Sequence, residues 1–166
     1  MELLIVGAGA VGAVYGYFAS QQGGGKSVRI TYLVKPKHRK DLESGIRLYH
    51  WRGKTADTIN LRDFGMISSF SEMKEKKFDA ILITLPSDKF REPGWLDSLV
   101  DASGEAKIWS LQPNAGDPEL LRTKLTERFG PGAEKRAVTG RIPIMSYLAP
   151  LPGEPFAEPG YAFYVP

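Results

Sequence analysis

Three glycines near the start of the chain are spaced as in loops that hold a phosphate group. Gly7, Gly9 and Gly12 follow an apolar run at 2–6 and precede small and apolar residues with helical spacing. In a strand–turn–helix unit, the first glycine permits the tight turn, the second admits a pyrophosphate, and the third lets the helix pack closely on the strand. The free N–H groups at the helix start then face the phosphates. A glycine turn that only packs a helix on a sheet is the alternative. The pattern predicts a dinucleotide-binding loop made of Gly7, Ala8, Gly9, Ala10, Val11 and Gly12.

Basic residues follow the second predicted strand, SVRITYLV at 27–34. Lys35 is the first residue beyond this strand, and no acidic residue occurs before Asp41. Units that bind NAD usually carry Asp or Glu here, which accepts a hydrogen bond from the ribose 2′-hydroxyl. A lysine instead attracts a 2′-phosphate, so Lys35, assisted by Arg39, favours NADP(H). A solvated basic helix start is the alternative interpretation of the run 35–40.

Alternating strand and helix patterns predict how these residues are positioned. Helices are predicted at 10–22, 37–44, 95–100 and 117–129, a hairpin at 46–61, and strands at 2–6, 27–34, 78–85, 107–112, 136–140, 143–147 and 161–166. The continuous apolar run FDAILITL is typical of a strand covered on both faces. Trp109 is predicted to lie in the core, and Asp117 to cap the last helix. The alternation predicts an α/β fold with a Rossmann-like, doubly wound and mostly parallel sheet.

The composition argues against several kinds of site. The 166 residues include no cysteine and only two histidines, which excludes thiolate chemistry and argues against a metal centre. The net charge of +3 is too small to indicate a nucleic-acid partner. No apolar run is long enough to cross a membrane. Because the first residues lack a signal-peptide pattern, a cytoplasmic location is expected.

Two segments, LLIVGAGAVGAVYGYFA and TYLVKPKHRKDLESGIRL, resemble the N-terminal domain of the ketopantoate reductase (2-dehydropantoate 2-reductase) family. FDAILITL and LQPNAGDPELL fall where the fourth and fifth strands of that family would be. The resemblance covers about residues 1–140. It implies NADPH binding, and reduction of a 2-keto acid in full-length members. It also implies cofactor contacts from Leu85, Pro86 and Asn114.

The sequence departs from the family pattern at two positions near the nicotinamide. Members typically carry a lysine directly after the fourth strand, where this chain has Pro86; Lys89 lies three residues further on. They also carry Gln-Asn-Gly after the fifth strand, where this chain reads LQPNAG and Pro113 takes the asparagine position. Asn114 replaces that asparagine only if the loop shifts. These departures leave dinucleotide binding in place, and they leave the catalytic residues and the substrate unassigned.

The resemblance also sets expectations for domain organisation. Residues 1–140 are expected to form the Rossmann-like domain, and 141–166 a strand-rich extension of it that ends at a truncation point. Family members add an all-helical domain that supplies a general-acid lysine and binds the small-molecule substrate. Without that domain, the 166-residue chain is expected to be inactive.

The sequence is therefore consistent with three functions. The first is the NADP(H)-binding domain of a ketopantoate-reductase-like oxidoreductase acting on a 2-keto acid or related carbonyl compound. The second is a non-catalytic nucleotide-binding or regulatory module. The third is the cofactor domain of an opine-type dehydrogenase. The oligomeric state is not predicted.

Overall fold

The computed structural model describes residues 1–21, 27–111 and 114–165, and these ranges contain ten strands and five α-helices. The strands are β1 Glu2–Val6, β2 Arg29–Leu33, β3 Ile46–Arg52, β4 Thr55–Leu61, β5 Gly65–Ile67, β6 Ala80–Ile83, β7 Lys107–Ser110, β8 Ala137–Thr139, β9 Met145–Ala149 and β10 Gly160–Tyr164. The helices are α1 Ala10–Ser20, α2 Pro36–Leu42, α3 Phe70–Lys74, α4 Trp95–Ala102 and α5 Asp117–Phe129, with 3₁₀ turns at Ser87–Arg91 and Ala133–Arg136. None of the helices in these ranges is both long and apolar enough to cross a membrane.

The main sheet has six strands in the order β5-β2-β1-β6-β7-β8, and every neighbouring pair is parallel. The chain moves outward from β1 in one direction through β2, and in the other through β6, β7 and β8. This arrangement is the doubly wound order, with its switch point between β1 and β6. It confirms the Rossmann-like prediction. All six strands end at the same edge of the sheet, so the residues that follow them meet there.

The strands at the switch point are buried because helices cover both faces of the sheet. Leu4, Ile5 and Ile81 have no exposed surface. One face packs on α1 through residues such as Val14, and the other packs on α4 and α5 through residues such as Leu121. Full burial of each such side chain stabilises the fold by about 1.5–3 kcal/mol. The continuous apolar pattern of FDAILITL therefore corresponds to a strand that is buried on both faces.

Three details differ from the sequence predictions. Asp117 is the first residue of α5, and the preceding Gly116 occupies the N-cap position with φ of 90°. Trp109 is 41% exposed, because Lys107 and Trp109 lie on the face of β7 opposite to the one that α4 and α5 cover. β5 and α3 were not predicted; they form the parallel edge strand and the crossover that leads to β6. The predicted helix end at residue 22 and the glycines at 23–25 lie outside the described residues.

A second sheet of four strands, in the order β4-β3-β10-β9, packs against α1. β3 and β4 form the predicted antiparallel hairpin, and β10 adds to β3 in parallel and to β9 in antiparallel orientation. Phe163 of β10 is fully buried and stacks on His50, with 4.4 Å between ring centroids. It also meets Phe18 of α1 edge to face at 5.7 Å. The last strands of the chain are thereby held in the same core as the first helix.

Candidate functional site

The glycine loop joins β1 to α1 at the switch point. Gly7 adopts φ of +100°, a conformation that favours glycine, and its N–H donates to the carbonyl oxygen of Leu33 at 3.0 Å. Gly12 lies against the loop itself: a Cβ there would be 2.1 Å from the Gly7 carbonyl oxygen and 2.9 Å from Thr84 Oγ1. Gly12 therefore serves close packing of α1 on the strand end.

Gly9 faces the opposite way, into open space. It is the N-cap residue of α1 and has φ of −75°, which any residue adopts. Apart from its chain neighbours, no heavy atom of the described residues lies within 4 Å of the position that its Cβ would occupy. The start of α1 thus presents bare backbone to the space above the loop, as close approach of a pyrophosphate requires.

A cavity of about 590 Å³ opens over this loop. It lies at the carboxyl ends of β1, β2 and β5, and the segment after β6 closes its far side. Its apolar and glycine lining comes from Val6, Gly7, Ala8, Gly9, Leu33, Val34, Pro36, Leu42, Phe70, Leu85, Trp95 and Tyr161. Its polar lining comes from Lys35, His38, Asp41, Ser68, Ser69, Lys89 and Glu92. A mostly apolar cleft with a few polar groups is typical of a cofactor or small-molecule site.

The structure brings only some of the predicted site residues together on this cavity. Those on its wall are Gly7, Ala8, Gly9, Lys35 and Leu85, and those outside the wall are Ala10, Val11, Gly12, Arg39, Pro86 and Asn114. Lys89 lies three residues after the position at which the resembled family has a lysine. It lines the cavity and pairs with Glu92. Phe70 and Trp95 were missed; each is the first residue of a helix, and their rings meet edge to face at 6.1 Å.

Arg39 is directed away from the cavity, toward α3. Its guanidinium lies 3.6 Å from the Glu72 carboxylate. Glu72 and Ser69 cap the start of α3 in a variant of the capping box: Ser69 Oγ accepts from the Glu72 N–H at 3.2 Å, and Glu72 Oε1 accepts from the N–H of Ser68, the residue before the N-cap, at 3.0 Å. These contacts order the serine rim of the cavity. They lower the pKa of Glu72, chiefly through the Ser68 N–H, with smaller contributions from Ser69 and Arg39.

This lowered pKa predicts a pH-dependent contribution to stability. A carboxylate with a depressed pKa in the folded state stabilises that state at pH values above its unfolded pKa, and the contribution is lost as the pH falls through the folded value. We expect Glu72→Gln to lower the free energy of unfolding at pH 7, and the difference from wild type to shrink below the ordinary glutamate pKa of 4.5. Urea unfolding at several pH values measures the difference. Glu75→Gln, at the exposed end of the same helix, is the control; a pH-independent gap would contradict the prediction.

The segments after β6 and β7 are tied together behind the cavity. The Asp117 side chain has no exposed surface. Its carboxylate accepts hydrogen bonds from Ser87 Oγ, from Arg91 Nη2 at 3.0 Å and from the Asn114 N–H at 2.7 Å. Asn114 thus contributes its backbone to this cluster. Gln112 and Pro113 lie outside the described residues. Within the described ranges, no three His, Asp or Glu residues are grouped closely enough to hold a metal ion.

A parallel sheet in this order, with a glycine loop and an open cleft at its switch point, defines a Rossmann-like α/β fold. Solved structures share this fold. Octopine dehydrogenase in complex with NADH and agmatine superposes with a TM-score of 0.68 and 14% identity, over 99% of this chain and 39% of that one. Octopine dehydrogenase with NADH and L-arginine gives a TM-score of 0.66, 16% identity and the same coverage.

An enzyme of the family that the sequence resembles is also among the solved structures that share this fold. The 2-dehydropantoate 2-reductase from Porphyromonas gingivalis W83 superposes with a TM-score of 0.59 and 15% identity, over 99% of this chain and 51% of that one. The chain therefore shares its fold with part of each of these enzymes, and it spans between 39% and 51% of their length. No family model matches the sequence. No curated protein matches it either.

Proposed function

We propose that the chain is the NADP(H)-binding domain of a ketopantoate-reductase-like oxidoreductase that acts on a 2-keto acid or a related carbonyl compound. The observation that carries the proposal is the cleft at the switch point, where bare backbone at Gly9 and the basic residue Lys35 line the same cavity of about 590 Å³. The cofactor supplies the hydride, and the protein holds it in place.

The fold suggests how the dinucleotide lies. The pyrophosphate rests over Gly9 at the start of α1, where free N–H groups face it. The adenosine ribose points toward the end of β2 and Lys35, as in other domains of this class. The nicotinamide then extends across the switch point toward the segments after β6 and β7, which contain Pro86 and Asn114. Phe70 and Trp95 offer apolar surface to the adenine ring, the part of the cofactor that these contacts leave.

The choice of NADP(H) over NAD(H) rests on charge. Lys35 and His38 line the cavity beside the proposed 2′-phosphate position. Asp41 also lines it, with its carboxylate 3.9 Å from His38 Nδ1, and a carboxylate is the group that reads a 2′-hydroxyl. Lys35 is the second residue after β2 and the N-cap of α2, whereas Asp41 lies almost two helical turns further along α2. This position favours the lysine as the group that meets the ribose, and makes NAD(H) the second candidate.

Replacement of Lys35 tests this assignment. Lys35→Asp removes one attraction for the 2′-phosphate and adds one repulsion, both screened by solvent and salt. We expect the dissociation constant of NADPH to rise by about 5- to 150-fold, equivalent to roughly 1–3 kcal/mol. The affinity for NADH should stay constant or increase. Calorimetric titration of both cofactors at one ionic strength measures the ratio.

Lys37→Asp is the matched control, because Lys37 is an exposed residue of α2 that does not line the cavity. The same charge reversal there should change NADPH binding by less than about threefold. An equal loss of affinity for NADPH and NADH in Lys35→Asp would show that Lys35 does not bind the 2′-phosphate. A wild type that prefers NADH would show the same, and would pass the cofactor assignment to NAD(H).

Two other functions share this fold. A non-catalytic nucleotide-binding module is favoured by Pro86, which stands where the resembled family has a lysine. An opine-type dehydrogenase domain is favoured by the superposition on octopine dehydrogenase. Reduction of a panel of 2-keto acids by the longest natural form of the protein separates them: reduction with NADPH supports the first proposal, and reduction that needs an added amino acid supports the opine type. The domain division at residue 140, a substrate held with a second helical domain, and a cytoplasmic location stay predictions.

A further inference from the structure

A fully buried carboxylate, that of Asp117, lies near the site but outside the cavity. Asp117 has no exposed surface, and its hydrogen-bond partners among the described residues, Ser87, Arg91 and Asn114, do not line the cavity. Its partners come from two separate segments. Ser87 and Arg91 belong to the 3₁₀ turn after β6, and the Asn114 N–H belongs to the loop after β7. The carboxylate therefore bridges two neighbouring loops at the carboxyl edge of the sheet.

The bridged segment carries part of the cavity wall. Leu85 and Lys89 line the cavity, and Ser87, which lies between them, is buried and donates to Asp117. Phe90 is buried in the core beneath this turn. Asp117 thus holds the turn through Ser87, while Lys89 of the turn and Leu85, which precedes it, line the cavity.

Physical chemistry argues that this carboxylate has a role beyond stability. Burying an ionised group is costly unless hydrogen bonds replace its water shell. Apolar side chains of similar volume often stabilise a protein equally well or better than a buried ion pair. What the ionised group adds is directionality, because each donor must lie at a fixed distance and angle from a carboxylate oxygen. Three donors from two loops fix the relative position of those loops.

We propose that Asp117 is a positioning residue for the nicotinamide half of the cofactor, a proposal that rests on the proposed function. By holding the segments after β6 and β7 together, it sets the place of Leu85, Lys89 and the Asn114 backbone relative to the glycine loop. The adenosine half, held by the ends of β1 and β2, does not depend on Asp117. Asp117 touches neither cofactor nor substrate in this arrangement and acts through its partners.

Asp117→Asn tests the proposal by comparing two ligands that share the adenosine half. NADPH occupies the whole site, and 2′,5′-ADP occupies only the adenosine end. We expect the variant to bind NADPH about tenfold more weakly than wild type and 2′,5′-ADP within about twofold of wild type. The fluorescence of bound NADPH, which reports the surroundings of the nicotinamide, should move toward that of the free cofactor.

Matched variants keep the outcome interpretable. Ser87→Ala and Arg91→Ala each remove one donor, and we expect each to shift the same ratio in the same direction. These two variants carry the test if Asp117→Asn does not fold. Asp97→Asn makes the same chemical change at a surface pair with Lys124 on the outer helices and should leave both affinities unchanged. Equal weakening of both ligands, or no change in either, in folded variants would overturn the positioning role while NADP(H) binding stands. A wild-type protein that binds neither ligand would overturn the proposed function as well.

Discussion

The Gly9→Val protein is expected to keep its fold and to lose dinucleotide binding. Nothing in the described structure beyond the chain neighbours lies within 4 Å of the added Cβ, and Gly9 lines the cavity, so we expect the branched side chain to project into open space. It then occupies the space in which a pyrophosphate must approach the start of α1. We expect the affinity for NADPH to fall by at least about 100-fold, or roughly 2.7 kcal/mol. Thermal unfolding and calorimetric titration of the same preparation measure both properties.

Gly9→Ala is the graded control for this prediction. Its single methyl group intrudes less, so NADPH binding should weaken by an intermediate factor. Both variants replace glycine at an N-cap position, which lowers stability by about 1 kcal/mol or less. Wild-type affinity in Gly9→Val would mean that the loop serves packing alone. The dinucleotide proposal would then fail at its central observation.

Gly12→Ala is expected to have the reverse effect, with a large loss of stability. The added Cβ would lie 2.1 Å from the Gly7 carbonyl oxygen, an atom of the backbone that cannot rotate away. α1 must therefore move off the end of β1, and this shift disturbs the core on both sides of the helix. We expect the free energy of unfolding to fall by about 3 kcal/mol. For a chain of this length, that loss lowers the midpoint of thermal unfolding by roughly 6–12 °C.

The comparison of the two alanine variants separates packing from binding. Gly9→Ala and Gly12→Ala add the same methyl group three residues apart in one loop. The first should change mainly the affinity for NADPH, and the second mainly the free energy of unfolding. Equal stability of Gly12→Ala and wild type would show that α1 is free to move off the loop, and would contradict the packing role assigned to Gly12. Denaturant titration with both proteins at one temperature decides this.

The glycine loop and its flanking elements follow directly from the sequence. β1, α1 and β2 depend on local rules: an apolar run, glycines at fixed spacing and side chains at helical period. The hairpin of β3 and β4 is likewise local, because its two strands are joined by a tight turn. The position of Lys35 followed from the end of β2. In these segments, residues close in sequence determine the backbone conformation.

Other parts of the site depend on contacts between distant segments. β5 has only three residues and is ordered by pairing with β2, so no periodicity signals it. Trp95 and Lys89 reach the cavity because α4 and the 3₁₀ turn pack at the edge of the sheet. The strand pattern predicts Trp109 as a core residue, but its exposure depends on which face of β7 the helices cover. Side-chain pattern identifies a strand and does not tell which faces its neighbours will bury.

The sequence by itself determined the order of strands and helices around the glycine loop, the hairpin and the basic residue that follows β2. Only the tertiary structure decided that β9 and β10 join the hairpin in one sheet, that Arg39 turns to Glu72 rather than to the cavity, and that Asp117 bridges two loops. The physical reason is that local patterns encode backbone conformation and burial through neighbours in the chain. The buried Asp117 carboxylate accepts hydrogen bonds from donors 3 to 30 residues away, and only folding brings these donors to it.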